Sequence, residues 1–280
     1  AWLDEQLNNR NRVPHFLEHI QRWKADSAAA RDKLACRLDL PYAAGGAAYM
    51  LDVFPAKSKT PTPVMVFLHG GYWRSLDKVD HSFVASAFVQ AGVCVVVPNY
   101  PLCPNVSIEE LVLSQVKALA WVYRHIAEFG GDPQRISVVG HSAGGHLAAM
   151  MAACQWHKVA ADLPANLVKS ALTLSGLHDL EPLRHSPYLQ GDLRLTPGQV
   201  RRCSPAYFPA PKAQIVAICG GDESDEFKRQ NRLIQQAWGP RCVTRCEQAP
   251  GKNHFSVLEA LCTRGEATHT TALNLIKNGL

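Results

Sequence analysis

A serine lies inside a glycine-rich motif whose spacing suits nucleophilic catalysis. Ser142 is the central residue of Gly140–Gly144, which reads Gly-His-Ser-Ala-Gly and fits G-x-S-x-G. This pattern holds a serine in a sharp turn between a strand and a helix, and here a strand-like run precedes it and small apolar residues follow it. A side chain at position 140 or 144 is expected to collide with neighbouring backbone. We therefore interpret Ser142 as a nucleophile.

A serine hydroxyl needs a general base that takes its proton, and the base needs a carboxylate that orients it. With this motif, the acid and then the histidine follow the serine along the chain. Of the twelve histidines, only His254 and His269 come after the last predicted strands. His254 lies in a loop just before a helix, where the base is expected. His269 is expected on the solvated side of the final helix.

The carboxylate is expected after the penultimate strand, where three acidic residues compete. They are Asp222, Glu223 and Asp225, which follow a Gly-Gly pair. Asp225 is expected to begin a helix as a capping or first-turn residue. Asp222 and Glu223 are not separated by their chemistry, because either carboxylate can accept the Nδ1 proton of His254.

Backbone N–H groups that stabilise an oxyanion are the third requirement, and each is worth about 3 kcal/mol. Ala143 follows the nucleophile and supplies one of them. The others are expected from His69–Tyr72, which follows the apolar run Val64–Leu68 and is called the oxyanion loop below. Its glycines allow the amides of Gly71 and Tyr72 to turn towards Ser142.

The elements that must position these residues alternate between solid apolar runs and helical patterns. This alternation predicts an α/β protein with a mostly parallel central sheet and helices on both of its faces. Chemistry in such sheets takes place beyond the carboxyl ends of the strands, where His69, Ser142 and the loops after Cys219 and Glu247 fall. The predicted strands are about 36–41, 47–54, 64–68, 93–97, 136–139, 167–175, 214–219 and 241–247. The predicted helices are about 14–34, 79–91, 107–129, 225–238 and from 265 onwards.

No linker or repeat divides the chain, so one domain is expected over residues 1–280. Residues 1–35 form a predicted N-terminal helical arm that could cover part of the sheet or the site mouth. The helix in this arm presents an apolar face formed by Phe16, Leu17, Ile20 and Trp23. Residues 176–211 form a proline-punctuated, irregular segment that is expected to be a cap or a pocket wall.

The bulk composition excludes several classes of protein. The 280 residues are 47% apolar and 19% charged, which is typical of a soluble globular protein. The partner expected from the catalytic residues is a small-molecule substrate. The net charge of +5 is spread without a Lys/Arg block, so no nucleic-acid partner is expected. No run is long enough to cross a membrane, so no membrane partner is expected. A homodimer is compatible with the sequence, which does not define the oligomeric state.

The nine cysteines are scattered, and Cys242 and Cys246 are their only close pair. No second pair at zinc-site spacing accompanies them, and there is no H-E-x-x-H motif, so neither a metal nor another cofactor is expected. The odd number of cysteines favours reduced thiols. The start of the chain, Ala1–Gln6, lacks the apolar run of a signal peptide, so a cytoplasmic location is predicted.

Several motifs together resemble one family over most of the chain. His69–Trp73, Asn99–Pro104 and Gly140–Gly145 resemble the hormone-sensitive-lipase-like branch of the α/β-hydrolases. Within that branch, the His-Gly-Gly-Tyr-Trp form looks like kynurenine formamidase (arylformamidase) and its bacterial esterase relatives. Ser175–Leu183 and Glu226–Gln230 are similar to that group too.

The resemblance implies an α/β-hydrolase fold with a small cap and a triad of Ser142, His254 and an acid. The family's acid falls on Glu223, where the animal enzymes usually have Asp. Leu7 is a second departure, because bacterial relatives tend to carry Tyr there.

The resemblance also implies a serine hydrolase of tryptophan catabolism that cleaves an N-formylkynurenine-like aryl formamide through an acyl-serine. A short-chain or aryl carboxylesterase is the alternative, and a non-catalytic binding protein on the same scaffold is the third reading. Tyr72 and Trp73 either line an aromatic substrate pocket or pack against the N-terminal arm. A substrate carboxylate would need a cation, and Arg74 and Lys78 are near in sequence.

Overall fold

The computed structural model describes residues 2–278. Ala1, Gly279 and Leu280 lie outside the described residues, and with them the two ends of the predicted domain 1–280 and the first position of the predicted arm. Within residues 2–278 the strands are β1 (Arg37–Pro41), β2 (Met50–Phe54), β3 (Thr62–Leu68), β4 (Cys94–Pro98), β5 (Gly131–His141), β6 (Val168–Leu174), β7 (Gln214–Gly220) and β8 (Val243–Ala249).

The strands form one eight-stranded sheet in the order β1-β2-β4-β3-β5-β6-β7-β8. The pairs β1/β2 and β2/β4 are antiparallel, and all pairs from β4/β3 to β7/β8 are parallel. The mostly parallel sheet predicted from the sequence is confirmed. Its strand order brings β3, β5, β6 and β7 side by side, so their carboxyl ends meet along one edge.

Helices cover both faces of this sheet. Across residues 2–278 they are α1 (Trp2–Leu7), α2 (Asn9–Arg12), α3 (Phe16–Lys33), α4 (Val84–Gln90), α5 (Ile108–His125), α6 (Ala143–Ala153), α7 (Trp156–Val159), α8 (Glu181–Arg184), α9 (Pro187–Leu193), α10 (Pro197–Cys203), α11 (Asp225–Trp238), α12 (Ser256–Cys262) and α13 (Ala267–Asn278). None of these helices is long and apolar enough to cross a membrane.

Strand β3 shows why the predicted apolar runs are buried on both sides. Successive side chains of a strand point to opposite faces. Val64, Val66 and Leu68 therefore belong to the core beneath α5 and α6, whereas Met65 and Phe67 belong to the core beneath α4 and α13. A strand with two buried faces needs apolar residues at every position, and all seven residues of β3 are buried.

The segment 176–211 is more regular than its sequence predicted. It contains three short helices, α8, α9 and α10, instead of an irregular connection. Two of the prolines that punctuate this segment begin helices: Pro187 opens α9 and Pro197 opens α10. Proline suits the first helical position because its missing N–H would have no intrahelical partner there.

The prediction that His269 is solvated is wrong. Its side chain is buried, and its ring packs on Phe88 with the centroids 5.0 Å apart. Nδ1 donates a hydrogen bond to the carbonyl of Leu261 over 2.9 Å. Because the polar atom has a partner inside the core, a histidine is accommodated on the inner face of α13.

Candidate active site

Ser142 lies at the turn between β5 and α6. Its φ of 58° and ψ of −119° place it outside the ordinary helix and strand regions. Two glycines permit this turn: a Cβ on Gly140 would lie 1.9 Å from the carbonyl oxygen of Gly144, and a Cβ on Gly144 would lie 1.9 Å from that of Leu68. At both positions an added side chain would therefore collide with backbone atoms, as the sequence predicts.

Three of the predicted site residues form one chain of hydrogen bonds. The Ser142 hydroxyl donates to Nε2 of His254 over 3.0 Å, and Nδ1–H of His254 donates to Oε2 of Glu223 over 2.7 Å. All three residues are buried. Asp222 is exposed, and Asp225 lies in the first turn of α11 after the capping Ser224. The structure therefore places Glu223, of the two adjacent carboxylates, beside the imidazole.

The second oxygen of the Glu223 carboxylate is held by two other donors. Oε1 accepts from the Ser175 hydroxyl over 2.5 Å and from the Gly220 amide over 2.6 Å. Ser175 follows β6 and Gly220 ends β7, so both neighbouring strands fix this side chain. Both carboxylate oxygens are satisfied, which is required of a charged group in a buried site.

His141, which precedes the serine, supports the loop that carries the imidazole. Its Nε2–H donates to the backbone carbonyl of His254 over 2.8 Å, and the two ring centroids are 4.8 Å apart. Burial, and then the neighbouring His254 ring, hold the pKa of His141 well below its ordinary value. The ring is therefore neutral and acts here as a hydrogen-bond donor.

The oxyanion loop contains unpaired backbone donors and lies close to the serine. Gly71 and Tyr72 have φ values of 108° and 50°, and among residues 2–278 their N–H groups have no hydrogen-bond acceptor. The loop is close to the serine, since a Cβ on Gly70 would lie 3.1 Å from Cβ of Ser142. Ala143 is the first residue of α6, where N–H groups lack intrahelical partners. These unpaired donors are the kind that an oxyanion requires.

The oxyanion loop is held by a buried aromatic stack. Nδ1–H of His69 donates to the carbonyl of Gly70 over 2.8 Å, and the Tyr100 hydroxyl donates to the carbonyl of His69 over 2.7 Å. The His69 ring lies between Tyr100 and His81, at centroid distances of 4.1 and 5.2 Å. Burial lowers the pKa of His69 to about 4, so the ring is neutral at physiological pH.

The serine and histidine open onto a cavity of about 200 Å³. Its walls come from the N-terminal arm, the oxyanion loop and the residues after it, segment 176–211, the turn that carries Ser142, and the loop that carries His254. The lining residues are Asn9, Arg10, Phe16, Leu17, Ile20, Trp23, Gly70, Gly71, Tyr72, Arg74, Ser75, Leu76, His141, Ser142, Tyr188, His254 and Phe255. An apolar cavity with a few polar groups is the ordinary form of a small-molecule site.

The predicted apolar face of the arm lines this cavity. Phe16, Leu17, Ile20 and Trp23 of α3 are all on its wall. Sequence reasoning missed the short polar helix α2 before them, which contributes two more residues to the wall. The sequence signal that could have located α2 is the apolar face of α3. Such a face packs against another part of the protein, and α2 directly precedes it in the chain.

The two aromatic residues after the glycines have different positions. Tyr72 lines the cavity, and its hydroxyl donates to the carbonyl of Leu7 over 2.5 Å. Leu7 is buried and contributes through its backbone, so its side chain does not form the mouth. Trp73 is fully buried behind the wall, and its ring meets His146 edge-on at 5.0 Å. Of the predicted substrate-binding pair, the structure places Tyr72 alone on the cavity.

The two cationic side chains that follow the oxyanion loop lie in different parts of the structure. Arg74 lines the cavity and forms an ion pair with Asp192 over 2.5 Å. Lys78 is buried elsewhere, between Asp39 and Asp52, with both Nζ–O distances at 2.7 Å. Among residues 2–278, His, Cys, Asp and Glu side chains form no group of three that could hold a metal ion.

Several known proteins resemble this chain in sequence and in structure. The chain is 28% identical to kynurenine formamidase of Salmo salar over 254 residues, covering 87% of this chain and 83% of the salmon protein. It is 35% identical to esterase LipQ of Mycobacterium tuberculosis over 144 residues, 50% of this chain and 32% of LipQ. A crystal structure from Silicibacter sp. TM1040, provisionally described as a thioesterase, is 28% identical, superposes with a TM-score of 0.83 and covers 98% of both chains.

The sheet topology and these relatives define an α/β-hydrolase, and the protein is a hydrolase that resembles kynurenine formamidase. The chain belongs to the BD-FAE family, whose model matches residues 51–194.

Proposed function

We propose that the protein is a serine hydrolase that cleaves aryl formamides of the N-formylkynurenine type through an acyl-serine intermediate. The observation that carries this proposal is the hydrogen-bond chain from Glu223 through His254 to Ser142, which ends at an apolar cavity. A nucleophile, a base and an orienting acid in this geometry are the requirements for acyl transfer.

In the proposed acylation, the Ser142 oxygen attacks the formyl carbon while Nε2 of His254 takes the hydroxyl proton. The negative charge on the formyl oxygen is stabilised by the N–H groups of Gly71, Tyr72 and Ala143. Glu223 stabilises the imidazolium that forms. The carbon–nitrogen bond then breaks as His254 returns its proton to the leaving nitrogen, which releases a neutral arylamine and leaves a formyl ester on Ser142.

In the proposed deacylation, a water molecule enters where the amine was. His254 removes one proton from it, and the resulting hydroxide attacks the formyl carbon with the same oxyanion donors in place. The bond between this carbon and the serine oxygen breaks, His254 protonates that oxygen, and formic acid leaves and loses its own proton to the solvent as formate. The enzyme is returned to its starting state.

Two further observations support an aromatic amide. The cavity walls carry the aromatic rings of Phe16, Trp23, Tyr72, Tyr188 and Phe255, which suit a planar ring. The salmon relative, which aligns with most of this chain, is a kynurenine formamidase by name.

A carboxylesterase is the second candidate, because the same site performs both reactions and LipQ is an esterase by name. An ester differs at the leaving group: an alkoxide or phenoxide departs with less help from a proton than an amine does. The distinction therefore lies in pocket fit and in protonation by His254, and it is decided by substrate comparison.

We also propose a single domain with an N-terminal arm (1–35) and a cap segment (176–211), acting in the cytoplasm. The continuous sheet and the arm's place on the cavity wall support the first part. The nine cysteines, all of which lie in the described part of the chain and are free, support a reducing compartment.

The deciding experiment compares kcat/KM for N-formylkynurenine and for p-nitrophenyl acetate with the same enzyme. We expect N-formylkynurenine to be the better substrate by at least about tenfold, a difference of about 1.4 kcal/mol in transition-state binding. Ser142→Ala should abolish both activities, and a fluorophosphonate probe should label the wild type and not this variant.

Turnover of the ester alone would overturn the formamidase proposal in favour of the esterase. Probe labelling that persists in Ser142→Ala would overturn the assignment of the nucleophile. An absence of labelling and of both activities in the folded wild type would support the binding-protein reading instead.

A further inference from the structure

The cavity that contains Ser142 has an uneven distribution of charge. Two arginines, Arg10 and Arg74, are on its wall, and no Asp or Glu is among the lining residues. The remaining walls are mainly apolar and aromatic. A cavity of low dielectric constant with positively charged side chains at its edge favours a ligand that carries a negative charge.

Arg74 is already engaged within the protein. Its guanidinium pairs with Asp192, donates to the carbonyl of Tyr188 over 2.9 Å and lies 4.5 Å from the centroid of the Tyr188 ring. These contacts neutralise its charge and fix its orientation, so Arg74 acts as part of the wall.

The charge of Arg10, unlike that of Arg74, is not neutralised by a carboxylate within residues 2–278. Among residues 2–278 no carboxylate lies within ion-pair distance of its guanidinium, which is 5.6 Å from the centroid of the Phe16 ring. The side chain is exposed, and it reaches the cavity from α2. Its charge is therefore free to meet an anion at the cavity mouth.

Asn9, the neighbour of Arg10, has a buried amide nitrogen, Nδ2, that makes no hydrogen bond within residues 2–278. The residue is 5% exposed and lines the cavity, and among the described residues Nδ2 finds no hydrogen-bond acceptor. A buried amide nitrogen without an acceptor loses its hydrogen bonds to water and gains none in return, so such groups are uncommon in cores and call for an explanation. A ligand oxygen in the cavity would supply the missing acceptor.

We propose that Asn9 and Arg10 form an anion subsite that binds a carboxylate on the substrate, at the arm side of the cavity. Asn9 donates a hydrogen bond to one carboxylate oxygen, and Arg10 supplies the charge. The substrate class is then an acylated arylamine or aryl ester with a carboxylate on its side chain. This inference rests on the proposed function, since it places the acyl group of the same molecule at Ser142.

Binding alone tests the subsite, without turnover. We would use the Ser142→Ala protein and measure by calorimetry the affinities of two matched ligands, 4-oxo-4-phenylbutanoate and its neutral amide. Both carry an aryl ketone of the same size, and they differ in the charge at the far end. We expect the acid to bind about tenfold more tightly than the amide, because a hydrogen bond to a charged group is worth more than one to a neutral group.

In the same Ser142→Ala background, Arg10→Ala should reduce this acid-to-amide ratio to about one. Asn9→Asp should reverse it, because a carboxylate at position 9 repels the acid and spares the amide. Arg12→Ala is the matched control: Arg12 is exposed on the same short helix but does not line the cavity, so the ratio should stay near tenfold. Raised salt should lower the acid's affinity selectively.

Equal binding of the acid and the amide by the protein with Arg10 intact would overturn the proposal. So would an unchanged ratio in Arg10→Ala, or a loss of the ratio in Arg12→Ala that matches its loss in Arg10→Ala. The outcome is independent of the proposed function: a protein that fails to hydrolyse N-formylkynurenine but keeps the ratio retains the subsite and acts on another carboxylate-bearing substrate.

Discussion

The hydroxyl of Ser175 donates to the carboxylate oxygen of Glu223 that the imidazole does not use, over 2.5 Å. Ser175 has a φ of 51° and follows β6, one strand away from the strand that carries Ser142. The carboxylate is thereby held from one side by a hydroxyl and contacted on the other by His254. A motif search centred on Ser142 would not select this residue, yet it orients the acid of the proposed triad.

Replacing Ser175 by Ala should lower kcat about ten- to a hundredfold, because a hydrogen bond to a charged group contributes about 1.5–3 kcal/mol. KM should change little, since Ser175 does not line the cavity. Ser170→Ala is the control: Ser170 lies within β6, the strand that precedes Ser175, and shares a buried 2.8 Å hydrogen bond with Ser137, away from the site. A similar fall in kcat for both variants would assign the effect to stability.

The choice between the two adjacent carboxylates gives a second prediction. Glu223→Gln should lower kcat by about 10³–10⁴-fold, because an amide cannot stabilise the imidazolium and disturbs the tautomer of His254. Asp222→Asn should leave kcat within about twofold, since Asp222 is exposed. Steady-state kinetics on one substrate measure both effects. The reverse order would move the acid to Asp222.

Four buried histidines predict a loss of stability in mild acid. Burial lowers the pKa of His69, His81 and His146 to about 4 and that of His178 to about 3, from an ordinary value of 6.5. Below about pH 6.5 the unfolded chain binds protons that the folded protein excludes, so stability falls as the pH drops towards 4. Each histidine should contribute about 2 kcal/mol less to the free energy of unfolding at pH 5 than at pH 7.

Urea unfolding at both pH values measures this difference. His146→Gln should reduce the gap between pH 7 and pH 5, whereas His157→Gln, at an exposed position, should leave it unchanged. A free energy of unfolding that is the same at pH 5 and pH 7 would contradict the prediction.

Gly144, beside the proposed nucleophile, and Gly191, in α9, provide a matched pair of substitutions. Gly144→Ala would place a methyl group 1.9 Å from the carbonyl oxygen of Leu68 and should destabilise the protein by about 3 kcal/mol or more. Gly191→Ala, in α9 with no atom within 4 Å of the added methyl, should be stabilising by about 0.5–1 kcal/mol. Thermal melting measures both, and equal Tm values would refute the steric account.

The sequence predicted those parts of the site that depend on residues close together in the chain. Ser142 and His254 follow from strand, turn and helix patterns along a few residues, and the same patterns located the sheet. The acid stayed open between Asp222 and Glu223, because neighbouring side chains differ in direction, and direction is set by the fold. The resemblance favoured Glu223, and the structure places that carboxylate on the imidazole.

The residues that sequence reasoning missed depend on contacts between distant segments. Asn9 and Arg10 reach the cavity only because the arm docks against the cap and the loops of the sheet. Trp73 follows the oxyanion loop, where the sequence leaves both a pocket position and a packed position open, and its side chain lies in the core. The positive φ of Tyr72 and Trp73 reverses the chain there, and no composition signal predicts which of two successive aromatics faces inward.

The arm's attachment points have a consequence for the order in which the protein is made. The carbonyl of Leu7 binds the oxyanion loop, Asp4 accepts from Ser186 over 2.5 Å, and His19 pairs with Glu259 over 2.7 Å. The arm leaves the ribosome well before Ser186 and Glu259 are translated. The arm's wall of the cavity can therefore be completed only after Glu259 has been made, although the arm itself is made long before. Such pairings close long loops, so we expect them to form slowly, and the cavity lacks the wall that α2 and α3 provide until the arm has packed in place.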